Sequence, residues 1–166
     1  EIHNMYRKRL AEGYPEEEIL GSIYAKGRDN ARTPMQWNDE ANAGFTTGKP
    51  WLPVNPNYTQ INAQVALQDP DSVFWYYKKL IELRKSYAVF AQGDFTLLEE
   101  NHPHLFVYQR CTEKEQILVV CNFAAQEVSW ERPDEWKEAK APIANYPQPA
   151  QGVLRPWEAM ILYRER

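Results

Sequence analysis

The stretch LFVYQRCTEKEQILVVCNF, residues 105–123, decides the fold of half the chain. Residues 105–110 and 116–123 are rich in β-branched and aromatic side chains. The polar cluster Thr112 to Glu115 between them reads as a turn, so the pair predicts a β-hairpin. A turn centred there pairs residues whose numbers sum to about 228, which sets Cys111 opposite Ile117 or Leu118. Cys111 and Cys121 are then not cross-strand neighbours. A disulfide needs Cα atoms within about 7 Å, so two free, buried thiols are expected, as in a reducing compartment.

Working outward, residues 94–98, 127–130, 138–143 and 159–163 repeat the pattern, separated by turn clusters such as Asn101-His102-Pro103. Short strands at roughly 10-residue spacing indicate an antiparallel sandwich or barrel. Upstream of the strands the period changes to that of a helix. Asp69 reads as an N-cap with Pro70 in the first turn, and Val73, Phe74, Tyr77, Leu80, Ile81 and Arg84 follow on a wide apolar stripe that implies burial. A short turn of helix is expected near 62–68. At the start, Ile2, Met5, Tyr6 and Leu10 form one amphipathic helix closed by Gly13. Pro15, the acidic run Glu16 to Glu18, and Ile19, Leu20, Ile23 and Tyr24 form a second, stopped by Gly27.

Residues 28–60 show neither period, yet are dense in Asn, Thr, Gly, Pro and Trp. They read as a long ordered loop, with Trp37, Phe45, Trp51 and Tyr58 as its anchors. The chain therefore divides into a helix-and-loop part, 1–87, and an all-β part, 88–166. The first residues offer neither an initiator Met nor a basic segment before an apolar run, so the sequence is expected to begin inside a longer protein.

Composition removes several function classes. The net charge of −4, without a Lys/Arg stripe, excludes a nucleic-acid partner. The longest aliphatic run, Ile117 to Cys121, is far shorter than the roughly 20 residues of a membrane span. Six Trp beside only seven Gly suit a carbohydrate site better than a phosphate loop. No Gly-rich phosphate loop, C-x-x-C, H-E-x-x-H or G-x-S-x-G occurs. His102 and His104 read as a solvated turn rather than metal ligands. No cofactor or metal is expected.

One segment stands apart, Gly27-Arg28-Asp29-Asn30-Ala31-Arg32-Thr33-Pro34-Met35-Gln36-Trp37. Two arginines, an Asp and an Asn beside a Trp supply the donors, acceptors and ring face that recognise sugar hydroxyls, and the planar guanidinium donates to two neighbouring oxygens at once. The same residues could instead tie the loop to nearby carboxylates, and spacing alone leaves both readings open.

From Lys26 through Trp37, then Ala43-Gly44-Phe45-Thr46-Thr47-Gly48, Pro50-Trp51 and Val54-Asn55-Pro56-Asn57-Tyr58, the sequence closely resembles the oligo-1,6-glucosidase and α-glucosidase branch of glycoside hydrolase family 13. The resemblance continues through Ser72-Val73-Phe74 and Tyr76 to Lys85, and closes with Leu154-Arg155-Pro156-Trp157-Glu158-Ala159. It implies an α+β fragment: the last loop excursion and final helix of a (β/α)8 barrel, followed by an antiparallel β-sandwich domain. It also implies a cytoplasmic, retaining enzyme acting on short α-gluco-oligosaccharides. Arg28 resembles an arginine that grips the terminal glucose, with Asp29 and Arg32 supporting the loop. The catalytic carboxylates would lie upstream of Glu1, and neither Asp29, Asp39 nor Glu40 matches them. A fragment of this kind is expected to be inactive alone and to self-associate through exposed helix faces. Alternatives are a trehalose-6-phosphate hydrolase, a glucosyl-transferring relative, or, from another class, a non-catalytic carbohydrate-binding or interaction module. For the last, Trp130, Trp136 and Trp157 could form a stacking face, although core positions are the commoner fate of such rings.

Overall fold

A computed structural model describes residues 2–27 and 31–166. The chain divides into two compact units, 1–70 and 71–166.

In the first unit, α1 (Ile2–Ala11) and α2 (Glu16–Lys26) pack together. Gly13, at φ 83°, ends α1: the N–H of Tyr14 reaches the Arg9 carbonyl and that of Gly13 the Leu10 carbonyl, the paired closure that a left-handed glycine permits. Tyr6 donates to Glu16 across the pair at 2.5 Å. Among these helices only Ile19 is buried, so the apolar stripe of α1 lies largely open. The unit ends in α3 (Ala63–Gln68).

The second unit opens with α4 (Val73–Ser86), later than the expected start at residue 70. Asp69 does not cap α4. Its N–H closes α3 on the Val65 carbonyl and its backbone is extended, the conformation a following proline enforces. Ser72 takes the N-cap position of α4 instead. A one-turn helix, α5 (Val89–Gln92), leads into the strands.

These are β1 (Asp94–Leu98), β2 (Leu105–Cys111), β3 (Glu115–Asn122), β4 (Val128–Ser129), β5 (Lys140–Ala144), β6 (Val153–Leu154) and β7 (Ala159–Glu165). β1-β2-β3-β7-β5 form an antiparallel sheet and β4-β6 a separate ribbon. In the central hairpin Cys111 faces Gln116 and Arg110 faces Ile117, one residue tighter than the expected register. Thr112 causes the tightening: its N–H reaches the Glu115 carbonyl and its hydroxyl accepts the Lys114 and Glu115 N–H groups. Both cysteines are free, but only half-buried rather than buried.

The sheet is covered on both faces. Leu105, Val107, Leu118, Val120, Met160 and Leu162 meet Trp130, Trp136 and Leu154 from the ribbon side, completing the sandwich. Ile117, Val119, Ile143 and Ile161 on the other face pack with Leu83 and Val89, flanked by Tyr76, Leu80 and Phe90. The burial expected of the stripe read on α4 is not met: Val73, Phe74, Tyr77 and Ile81 are exposed, and of that stripe only Leu80 packs on the core, beside Tyr76 and Leu83, which the stripe did not include. β6 escapes the sequence pattern because two residues are too few to show a period of 2.

Candidate functional site

The polar loop that singles itself out in sequence is held by its amides. The N–H groups of Ala63 and Gln64 reach the carbonyls of Gln36 and Trp37, so residues 36–64 form a segment whose two ends are clasped together. The Gln36 side chain donates to Asn57 Oδ1 at 3.1 Å and also to the Ile61 carbonyl. Asn62, almost fully buried, caps α3 by accepting the Val65 N–H at 2.9 Å and donates to the Tyr58 carbonyl at 2.8 Å.

Within the clasp lies a left-handed turn. Asn42, Ala43 and Gly44 take φ of 55°, 58° and 64° in succession. Such backbone costs a non-glycine residue about 1–2 kcal/mol, and Asn tolerates it best. The surroundings hold it there. Ala43 is fully buried, its carbonyl accepts the N–H groups of Trp37 and Asn38, and the Asn42 side chain donates to the Thr46 and Gly48 carbonyls. The turn thereby sets the backbone of Trp37.

Three of the four expected aromatic anchors, Trp37, Phe45 and Trp51, are exposed. Trp51 is 85% exposed, Trp37 53%, Phe45 is also exposed and Tyr58 is half-buried. Amides bind the loop because its backbone lacks regular partners, and every buried N–H and C=O must find one. The rings project outward from this frame. Arg32 lies on the exposed surface just ahead of buried Pro34. Arg28 and Asp29 lie outside the described residues. Asp39 and Glu40 are exposed, and Glu40 accepts from Asn38 at 3.3 Å. The loop thus offers a cation and ring faces on a stiff support.

His102 is a structural residue. Its Nδ1 accepts the N–H groups of His104 and Leu105 at 3.1 and 3.0 Å, bracing the turn before β2. No group of three or more His, Cys, Asp or Glu placed to hold a metal occurs among the described residues. Of the tryptophans in the β half, Trp130 and Trp136 are core, while Trp157 is exposed with φ 58°. The left-handed turn and the Gln36–Asn57 clasp escape sequence reading: Asn42 and Gly44 are residue types that accept positive φ, but Ala43 between them is not.

Two family profiles account for nearly all of the chain. The one described as "Alpha amylase, catalytic domain" matches residues 2–93, and "Maltogenic Amylase, C-terminal domain" matches residues 95–157. The oligo-1,6-glucosidase of Bacillus cereus is 48% identical over 168 residues, covering 97% of this chain and 30% of that protein. Among solved structures, the trehalose-6-phosphate hydrolase of Bacillus licheniformis superposes with TM-score 0.88 at 42% identity, covering 99% of this chain and 31% of the other. The trehalulose synthase of Pseudomonas mesoacidophila MX-45 superposes with TM-score 0.87 at 39% identity, covering 98% and 30%. The chain spans about 30% of the length of the relatives it matches.

Proposed function

The chain belongs to the α-amylase family, glycoside hydrolase family 13, and on that premise we propose that it is the C-terminal part of a retaining α-glucosidase of the oligo-1,6-glucosidase type. The observation that carries this is the 48% identity to an oligo-1,6-glucosidase over 97% of the chain, which includes the loop at 28–60. The parent enzyme removes terminal glucose from short α-gluco-oligosaccharides. Its nucleophile and acid/base, a carboxylate pair about 5–5.5 Å apart in a retaining enzyme, belong to the part of the barrel outside this chain. Residues 1–87 supply the end of that barrel and 88–166 the C-terminal domain. Two family matches that meet at residues 93–95 support a boundary in that neighbourhood.

In this reading Arg28 grips the terminal glucose, and Asp29 and Arg32 support its loop. Loops after the strands carry the active sites of such barrels, and the rigid clasp of residues 36–64 suits that duty. The expected setting is the cytoplasm; no helix among the described residues is long and apolar enough to cross a membrane. The stripe Val73, Phe74, Tyr77 and Ile81, left open on α4, is where the isolated chain self-associates.

A second reading, trehalose-6-phosphate hydrolysis, is favoured by the 42% identity and close superposition with the Bacillus licheniformis enzyme. Assays on isomaltose, maltose and trehalose-6-phosphate separate the two. The 166-residue chain should turn over none of them. The longer polypeptide should hydrolyse isomaltose and lose most of that activity on Arg28→Ala. Turnover by the short chain, or a longer polypeptide inert on all three, would refute the proposal.

A further inference from the structure

Arg132 carries its charge into the interior of the β sandwich, where it is 4% exposed. Its Nη2 donates to the Ala150 carbonyl at 2.8 Å and lies 3.7 Å from the Sδ of Met160, a core residue of β7. Its Nε is buried and meets no acceptor among the described residues. The guanidinium thus stands between the sheet and the chain that leads into β6, facing one carbonyl and one thioether. More chain could only add to this burial, so the fact that the protein spans about 30% of its relatives does not create it.

A buried charge without a counter-charge is heavily penalised, and an arginine does not escape by giving up its proton. Burial pulls the guanidinium below its ordinary pKa, and no carboxylate offsets it. Among the described residues the ion pairs are Lys8–Glu12, Lys137–Asp134 and Arg155–Glu158. Glu158 is the carboxylate nearest in the network, since its Oε1 accepts the N–H of the same Ala150, but its oxygens are taken by the Arg155 guanidinium and by the Ala150 and Arg155 N–H groups. Two arginines therefore converge on one filled carboxylate. The excess positive charge is Arg132.

A counter-charge from solution has to be small, because so little of the residue is open. The cover on one side is thin. Residues 147–152 are exposed or half-exposed and run without helix or strand to β6, and a Cβ added at Gly152 would meet nothing within 4 Å. A shift of this segment admits an ion beside Nε. We propose that Arg132 is the fixed charge of a site for a small monovalent anion, of halide or nitrate size, held between β7 and the 147–152 segment. The bound ion fastens to the sheet a segment that Arg155, which donates to the Gln148 carbonyl, already holds from its other side. The site belongs to the β unit whatever the parent enzyme hydrolyses.

Chloride tests it, at constant ionic strength with gluconate, too large for the site, making up the balance. The Tm of the 166-residue chain should rise with chloride and level off, by about 5 °C at ten times the dissociation constant. Arg132→Met, which fills the space without a charge, should lose that dependence. A Tm that ignores chloride, or climbs equally in the variant, overturns the proposal and leaves Arg132 to ordered water. Should the variant fail to fold or the melt lack cooperativity, amide exchange in the native chain decides. Saturable slowing by chloride across residues 148–154, with β2 and β3 unchanged, supports the site. No slowing, or slowing spread evenly over the β unit, overturns it.

Discussion

The carboxylate of Glu158, wholly removed from solvent, is gripped by the guanidinium of Arg155, whose Nε reaches Oε2 and whose Nη2 reaches Oε1, both at 2.8 Å. The N–H groups of Arg155 and Ala150 complete its shell at 2.9 Å, and the guanidinium lies 4.1 Å over the ring of Tyr146. The pair ties the 146–155 segment to the start of β7.

Glu158→Ala is expected to destabilise the β unit by about 3 kcal/mol. This is the lower end for breaking a buried pair, because Arg155 keeps about a third of its side chain in water. Urea unfolding of the two proteins measures it, and a loss below the level of an ordinary surface substitution would contradict the role given to the pair.

Acid should act through the same carboxyl. Burial pushes Glu158 up, but hydrogen bonds from the Arg155 side chain and backbone and from Ala150, together with the positive charge, outweigh it and hold the group below its ordinary 4.5. A depressed folded value means stability present above the unfolded value and lost as pH falls through the folded one. Unfolding free energy should therefore decline below about pH 4.5, more steeply for the native protein than for Glu158→Gln.

Base should act through Tyr163. Burial, its hydrogen bond to Glu115 at 3.2 Å and the surrounding acidic charge push it up to about 12 from 10.0. The folded state then holds its proton longer than the unfolded chain, so this contribution is complete below pH 10 and fades as pH rises toward 12. Ultraviolet titration should show a late phenolate component that Tyr163→Phe removes. Its persistence in that variant would assign it to another tyrosine.

Gly44→Ala should loosen the clasped loop by about 1–2 kcal/mol, because φ is +64° and the new Cβ would stand 2.6 Å from Asn38 Oδ1. Faster amide exchange at Trp37 and Asn38, with the β unit unaffected, is the expected signature. Unchanged exchange would show that the loop does not depend on this turn.

Both thiols should titrate in denaturant without a reductant, and reduction should leave the mass unchanged. Register carries this expectation: Cys111 pairs with Gln116 and Cys121 with Phe106, so they lie well apart on β2 and β3. Burial pushes the Cys121 thiol up, which should slow its alkylation in the folded chain.

Several of these features are visible in sequence and several are not. The strand at 94–98 and the Gly13 stop are each set by neighbours within a few residues, through side-chain alternation and a glycine's access to positive φ. The start of α4 fails because Asp69-Pro70 serves equally well as a helix start and as the exit from α3. Trp37 and Trp51 read as anchors only because a large ring carries no sign of which way it turns. At the candidate site the motif around Arg32 is contiguous and stands out in the sequence, whereas the clasp joining Gln36 to Asn57 spans 21 positions and does not.

By itself the sequence determined the alternation of helices and strands, the sandwich and the family, all of which depend on local period, turn chemistry or a contiguous motif. Tertiary structure alone decided which stripe of α4 is covered, that amides rather than rings hold the loop, and that the Arg155–Glu158 pair is sealed from water. Each depends on what stands opposite a side chain across space. Apolar character is the same whether a residue such as Leu83 finds a sheet or one such as Tyr77 finds none, and burial is settled only when the surfaces meet.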